Sequence, residues 1–297
     1  MRMPFARLFA ALALAAATVG AQGMPAKWIH GSAPCGENTD PPFQVHEFDS
    51  DTFILRENKC IHYEGPFLYL LFGRDKVFLQ DTGAAPRNPD IAFPVSSTIF
   101  RLINDWAKRR NRPAPPLIVT HSHAHGDHTG GDKQFEGLSD VTVVGTMVPE
   151  VIKFFKFEDW PNRPTTLDLG GRVLDIVAIP GHEASSIAVY DRRTRILLTG
   201  DTLYPGRLYI RDWPAYRASV ARLAAFVESR EVSMVLGTHI EMTSKAGVDY
   251  PVGTVYQPEE HELALSPRHL AELHAALQKM TAGAIREVHD HFIIDPR

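Results

Sequence analysis

Cysteine is scarce in this chain: Cys35 and Cys60 are the only two among 297 residues. Neither sits beside a histidine cluster, which sets both apart from metal binding. Charge of one sign is never concentrated: 31 Lys and Arg face 35 Asp and Glu, for a formal net charge of -4. Nothing in that balance points to nucleic acid or a membrane surface as partner. Internal repeats and low-complexity tracts are missing as well, which removes the basis for reading a scaffold or a disordered regulator. Long apolar runs are also missing. The stretch from Leu8 to Val19 is short of the roughly 20 residues that a spanning helix needs. A small-molecule substrate is therefore the expected partner, with no stable membrane insertion, and the oligomeric state stays open.

That same N-terminal stretch carries a different signal. Arg2 and Arg7 precede it and Val19-Gly20-Ala21 follows it, the layout of a secretory signal peptide over residues 1–21. The expectation is an exported protein, periplasmic or secreted, with residues 22–297 as one catalytic domain. An oxidising compartment permits Cys35 and Cys60 to pair. Closing a loop of that size would stabilise the fold by roughly 3 kcal/mol. Two unpaired thiols are the alternative, because spacing does not show proximity.

What the chain has is an α/β rhythm. After an irregular, proline-bearing lead over 24–50, the apolar runs PFLYLLFG and KVFLQDTG read as strands. Next, SSTIFRLINDWAKRRN places Ile99, Leu102, Ile103 and Trp106 at helical spacing, with Ser96 or Ser97 as cap. Further strands are PLIVT, VTVVG, RVLDIVAIP, SIAVYD, RILLTG and SMVLG, with DRRTR as a hairpin turn. Helices are expected near Tyr216 to Ser229 and after Ser266-Pro267.

Four of those strands run out into a histidine or an aspartate. PLIVT leads into THSHAHGDHTGG, where His123, His125, Asp127 and His128 crowd one loop. In extended backbone an H-x-H pair points both imidazoles to one side, so one ion can take both. Asp127 and His128 lie near enough to serve a second ion. Gly126, Gly130 and Gly131 let the backbone turn tightly there. Downstream, PGHEASS supplies His182, LLTGDTLY supplies Asp201 and VLGTHIEM supplies His239. Five histidines and two aspartates fit two ions that share a bridging carboxylate. Imidazole with carboxylate suits zinc, with manganese or iron as alternatives.

These motifs, in this order, resemble the metallo-β-lactamase superfamily, and LQDTGA with Asp81 is similar to its first motif. The resemblance runs from about residue 65 to 240. It implies a four-layer αββα sandwich with two metal ions at one rim of the sheets. By motif, His123, His125 and His182 would hold the first ion, Asp127, His128 and His239 the second, and Asp201 would bridge. Asp81 would support the ligand loop from behind. His121 and the remaining histidines, His62 among them, receive no role.

A metal ion brings the pKa of water to about 7 and makes hydroxide available for attack on a carbonyl centre. Asp127 could then hydrogen-bond the nucleophile and move a proton to the leaving group. The expected activity is hydrolysis of a lactone, ester or thioester. Phosphodiester cleavage, or β-lactamase-like amide hydrolysis, on the same centre is the alternative. The superfamily's dedicated β-lactamases place Cys or Ser where Asp201 stands, which argues against that branch. A single-iron redox enzyme and a metal-buffering protein are disfavoured by the full set of ligands. Tyr204, three residues past Asp201, resembles a tyrosine by which lactonases contact substrate; simple packing is the other reading. Trp160, Tyr209 and Trp213 are candidates for the pocket wall.

Overall fold

A computed structural model describes residues 23–25 and 27–297. The signal-peptide reading over 1–21 lies outside the described residues. Among those residues no helix is long and apolar enough to cross a membrane.

Two six-stranded sheets stack face to face. The first runs in the order β1 (Phe43–Asp49), β2 (Thr52–Glu57), β3 (Phe67–Phe72), β4 (Val77–Gln80), β5 (Leu117–Thr120) and β6 (Val141–Val143). The second contains β7 (Thr165–Asp168), β8 (Val173–Ala178), β9 (Ile187–Asp191), β10 (Ile196–Gly200), β12 (Met234–Gly237) and β13 (Ala264–Leu265). Its spatial order is β13-β12-β10-β9-β8-β7. A small third sheet pairs β11 (Arg207–Ile210) with the C-terminal strands β14 (Glu287–Val288) and β15 (Ile293–Pro296).

Strand periodicity sorts the apolar residues into three cores. Ile54, Tyr69, Leu71, Phe78 and Ile118 of the first sheet meet Ile176, Val189, Leu198 and Leu236 of the second. The alternate residues Phe53, Leu55, Leu70 and Leu79 face outward onto α1 (Val95–Arg109), through Ile99, Leu102, Ile103 and Trp106. On the other side Val177, Ala188, Leu197 and Val235 face α4 (Trp213–Glu228) and α5 (Pro267–Lys279), through Val220, Leu223, Leu273 and Leu277. Helix, sheet, sheet, helix is the expected αββα order. It follows from strands that are apolar on both faces and so need cover on both.

Several local expectations change. Residues 43–49, inside the stretch read as irregular, form β1; only Phe43 and Phe48 of this edge strand are buried, so the alternation is weak. Neither Ser96 nor Ser97 caps α1; Pro94 stands at the N-cap, and Ser96 binds Gln134 instead. Asp212, not predicted, caps α4 by accepting the Ala215 N–H at 3.0 Å.

Cys35 and Cys60 are joined by a disulfide, 25 residues apart in sequence. The bond ties the N-terminal lead to the β2–β3 loop, residues 58–66. Cys60→Ser is expected to lower unfolding free energy by about 3 kcal/mol through restored loop entropy. Urea unfolding with and without reductant checks this: reductant should act on the native protein and not on the variant.

Candidate metal centre

Every expected metal-seeking side chain stands just past the C-terminal end of a strand, and all those ends share one rim. β4 leads to Asp81, β5 to the histidine loop, β8 to His182, β10 to Asp201 and β12 to His239. The short helix α2 (Gly126–Thr129) carries Asp127 and His128. A rigid sheet fixes such groups better than free loops would.

The side chains fall into two donor groups. In the first, His125 Nδ1 lies 2.8 Å from His123 Nε2 and 3.1 Å from His182 Nε2. In the second, His128 Nε2 and His239 Nε2 are 3.4 Å apart, with Asp127 Oδ2 at 3.2 and 3.3 Å from them. Separations near 3 Å between ring nitrogens match the edge of a tetrahedron whose metal–nitrogen bonds are about 2.0–2.1 Å. Asp201 divides itself between the groups. Its Oδ1 faces His128 at 3.7 Å and His239 at 3.5 Å, while Oδ2 faces His182 at 3.6 Å and His123 at 4.0 Å.

Charge favours the same reading. Burial pushes the first group's imidazoles below their ordinary pKa, His125 to about 4, so they are neutral with a lone pair to give. Burial also opposes charge on His128 and His239, but the carboxylates of Asp127 and Asp201 outweigh it and hold both imidazoles above the usual value, His239 at about 9. Two carboxylates, Asp201 buried and Asp127 half-buried, therefore demand positive charge, which protons or a divalent cation can meet. The donor set fits the metal that the motifs call for.

The far nitrogens of His128, His182 and His239 are also held, which fixes tautomer and orientation. His128 Nδ1 lies 3.0 Å from Asp81 Oδ2, His182 Nδ1 donates to the Tyr209 carbonyl at 2.8 Å, and His239 Nδ1 to the Glu64 carbonyl at 3.3 Å. Asp81 also accepts from the Ser122 N–H at 2.6 Å and the Ser122 hydroxyl at 2.9 Å, while Thr238 donates its hydroxyl to Asp201. Asp81 adopts φ +69°, a left-handed conformation that aspartate tolerates better than most residues. Asp81→Ala is expected to weaken metal binding about 10–100-fold. The loss should fall on the group containing His128, as metal titration of the variant followed by calorimetry would show.

The glycines of the loop serve a different purpose from the one expected. Gly130 and Gly131 have ordinary negative φ; a Cβ on Gly130 would lie 2.3 Å from the Ala85 nitrogen. Close packing against the Asp81 loop, not a tight turn, requires them.

A profile of the metallo-beta-lactamase superfamily matches residues 65–265. The chain belongs to that superfamily. The bovine (Bos taurus) acyl-coenzyme A thioesterase MBLAC2 is 28% identical over 246 residues, covering 67% of this chain and 86% of the relative. Hydroxyacylglutathione hydrolase of Ectopseudomonas mendocina is 32% identical over 120 residues, 37% of this chain and 42% of that one. Among solved structures, a metallo-beta-lactamase from Pontibacter korlensis superposes with a TM-score of 0.50 at 17% identity, covering 80% of this chain and 100% of that chain, a likeness of fold. As a superfamily member this chain is a hydrolase whose fold implies divalent metal, and its two His and Asp groups could each hold an ion.

The structure gives the other candidate residues partners away from a substrate. Tyr204 is buried, with its ring 5.6 Å from that of His239. Its hydroxyl, however, donates to the Arg207 carbonyl and lies 3.2 Å from Glu241. Those partners commit it to positioning rather than to contact with substrate. Trp160 packs edge-on to Phe157 at the inter-sheet core, and Trp213 packs against the outer core at the start of α4. Tyr209 serves through its backbone carbonyl. His121 is buried against Asp132 at 2.8 Å. The cleft beside Asp127 is lined instead by His62, Glu64, Ala84 and Ala85. No motif marked His62 or Glu64, because the β2–β3 loop reaches the rim only through the folded hairpin.

Proposed function

We propose that this chain is an exported, dinuclear, zinc-dependent hydrolase that cleaves acyl thioesters and esters. One observation carries the reading: the two oxygens of Asp201 divide between the two donor groups, an arrangement that suits a carboxylate shared by two ions. His123, His125 and His182 would hold one ion, Asp127, His128 and His239 the other. Bound there, such ions supply hydroxide at neutral pH and polarise a carbonyl oxygen. The chain's own side chains then do the remaining work. Asp127, partly open to the cleft, can accept a hydrogen bond from the attacking water and hand a proton on at the leaving atom. Asp81, Thr238, and the Tyr209 and Glu64 carbonyls keep the reactive groups from turning.

Likeness to the bovine thioesterase over most of that protein's length favours an acyl thioester. The disulfide between Cys35 and Cys60 supports export, since such bonds persist in oxidising compartments. The test is a panel of an acyl-coenzyme A, an acyl-glutathione, an aryl ester, an acyl-homoserine lactone, a β-lactam and a phosphodiester. The zinc-loaded mature chain should turn over thioester or ester fastest and contain two zinc ions. Turnover of the phosphodiester alone would overturn the reading in favour of phosphoryl chemistry.

A further inference from the structure

The β2–β3 loop forms one wall of a cleft of about 290 Å³ that opens beside Asp127. Ala84, Ala85 and Gly126 are small and leave the space; His62 and Glu64 face it from the loop. That loop is unusually well held. Cys60 is tied to Cys35, and the Gly65 N–H donates to the His62 carbonyl at 3.0 Å. The buried Lys59 ammonium donates to the Tyr63 carbonyl at 2.9 Å and the Glu64 carbonyl at 3.4 Å. Because the Glu64 carbonyl also accepts from His239, the wall that carries His62 is anchored to one of the rim's own imidazoles.

His62 Nδ1 accepts the Glu64 N–H at 3.4 Å. A neutral imidazole has a single N–H, so that bond places the proton on Nε2. Burial pushes the His62 pKa below its ordinary value, which keeps the ring neutral. Among the described residues Nε2 has no protein partner.

We propose that His62 is a substrate-contacting residue whose Nε2–H donates a hydrogen bond to the leaving atom of the acyl substrate. The inference rests on the reading of the centre as a carbonyl hydrolase. Asp127 delivers its proton at the leaving atom, and His62 shares the cleft with Asp127. When the acyl carbon–heteroatom bond breaks, its electron pair moves to the oxygen or sulfur, and an N–H aimed there stabilises the developing charge. The proton that completes the alcohol or thiol is the one removed from the attacking water, so His62 ends the step in the form in which it began it. The benefit depends on the leaving group. A thiol has a pKa of roughly 8.5 and leaves readily as thiolate, whereas an alcohol, near the value of about 16 for water, needs help. His62 thus sets how far the enzyme's range extends from thioesters to unactivated oxygen esters.

The experiment compares wild type, His62→Phe and His62→Gln, all zinc-loaded, on a thioester, an aryl ester and an alkyl ester of one acyl chain. His62→Phe should lower kcat/KM on the alkyl ester about 10²-fold, the usual effect of removing one such donor, and on the thioester by less than about threefold. His62→Gln, whose amide still donates, should recover part of the loss. Equal losses on all three substrates, or none on the alkyl ester, overturn the proposal while leaving the hydrolase reading standing. Wild-type inactivity on all three overturns the parent reading and this inference with it. A second measurement needs no substrate or metal. Long-range ¹H–¹⁵N NMR of the histidine rings, with His62 assigned by its loss in His62→Gln, should show the Nε2–H tautomer; an Nδ1–H tautomer excludes the donor.

Discussion

Replacing Asp201 by alanine is expected to lower kcat/KM on thioester or ester by at least about 10³-fold, the equivalent of roughly 4 kcal/mol of transition-state stabilisation. The size follows from its position. Asp201 is the one carboxylate that faces both donor groups, 3.5 Å from His239 through Oδ1 and 3.6 Å from His182 through Oδ2. Its loss removes a negative charge that both groups share and opens the gap between them. Metal content should fall below two ions per chain, with the three-histidine group retaining its ion more firmly than the other. Zinc analysis alongside kinetics separates lost metal from lost chemistry. Near-wild-type turnover by the variant would mean that the shared carboxylate is not part of the reaction, and the dinuclear reading would fall.

Arg172→Leu is expected to destabilise the fold by about 3–5 kcal/mol while leaving the chemistry of the folded fraction intact. Arg172 precedes β8 at the end away from the rim, and its side chain is 2% exposed. It pairs with the equally buried Asp191 at 2.6 Å and donates to the Thr52 hydroxyl at 2.8 Å and the Phe72 carbonyl at 3.2 Å, bonding the two sheets together. Leucine would leave Asp191 as a buried, uncompensated charge. The pH dependence carries the sign. Burial raises the Asp191 pKa, but Arg172 lowers it more, so in the native protein it lies below the ordinary carboxylate value. Its contribution is therefore present above a pH of about 4 and lost as pH falls through the folded-state pKa. In the variant burial is opposed only by the hydrogen bonds from Thr194 and the Arg193 N–H, so the Asp191 pKa rises and the deficit should be largest at neutral pH and narrow toward pH 4. Urea unfolding across that range measures it. A double variant, Arg172→Leu with Asp191→Leu, should regain much of the loss because no orphaned charge remains. A deficit that does not vary with pH would assign the effect to packing alone.

Contiguous stretches account for what was legible early. H-x-H-x-D-H needs only one loop to bring four donors together, and strand alternation in FLYLLF or ILLTG needs only its own residues. The division of labour between His123 and His128 follows from spacing in the same way. Less local features did not show. β1 is an edge strand with two buried positions, too few to mark a period. Trp160 looks like part of a pocket wall in sequence, yet it packs with Phe155 and Phe157 against the core between the sheets. Tyr204 sits at a spacing shared with lactonases, but the Arg207 carbonyl and Glu241 take its hydroxyl.

By itself, then, the sequence determined the strand–helix rhythm and the clustering of metal-seeking residues, because each rests on short-range pattern or on residue type. The αββα order and the class of chemistry followed from the resemblance those motifs carry. Tertiary structure alone decided which atoms face which. The split of Asp201 between two groups, the joining of Cys35 to Cys60, and the gathering of His62, Ala84 and Asp127 around one cleft all involve residues far apart in the chain. No local propensity encodes such contacts. They exist only once the packed sheets have brought the strand ends to a common rim.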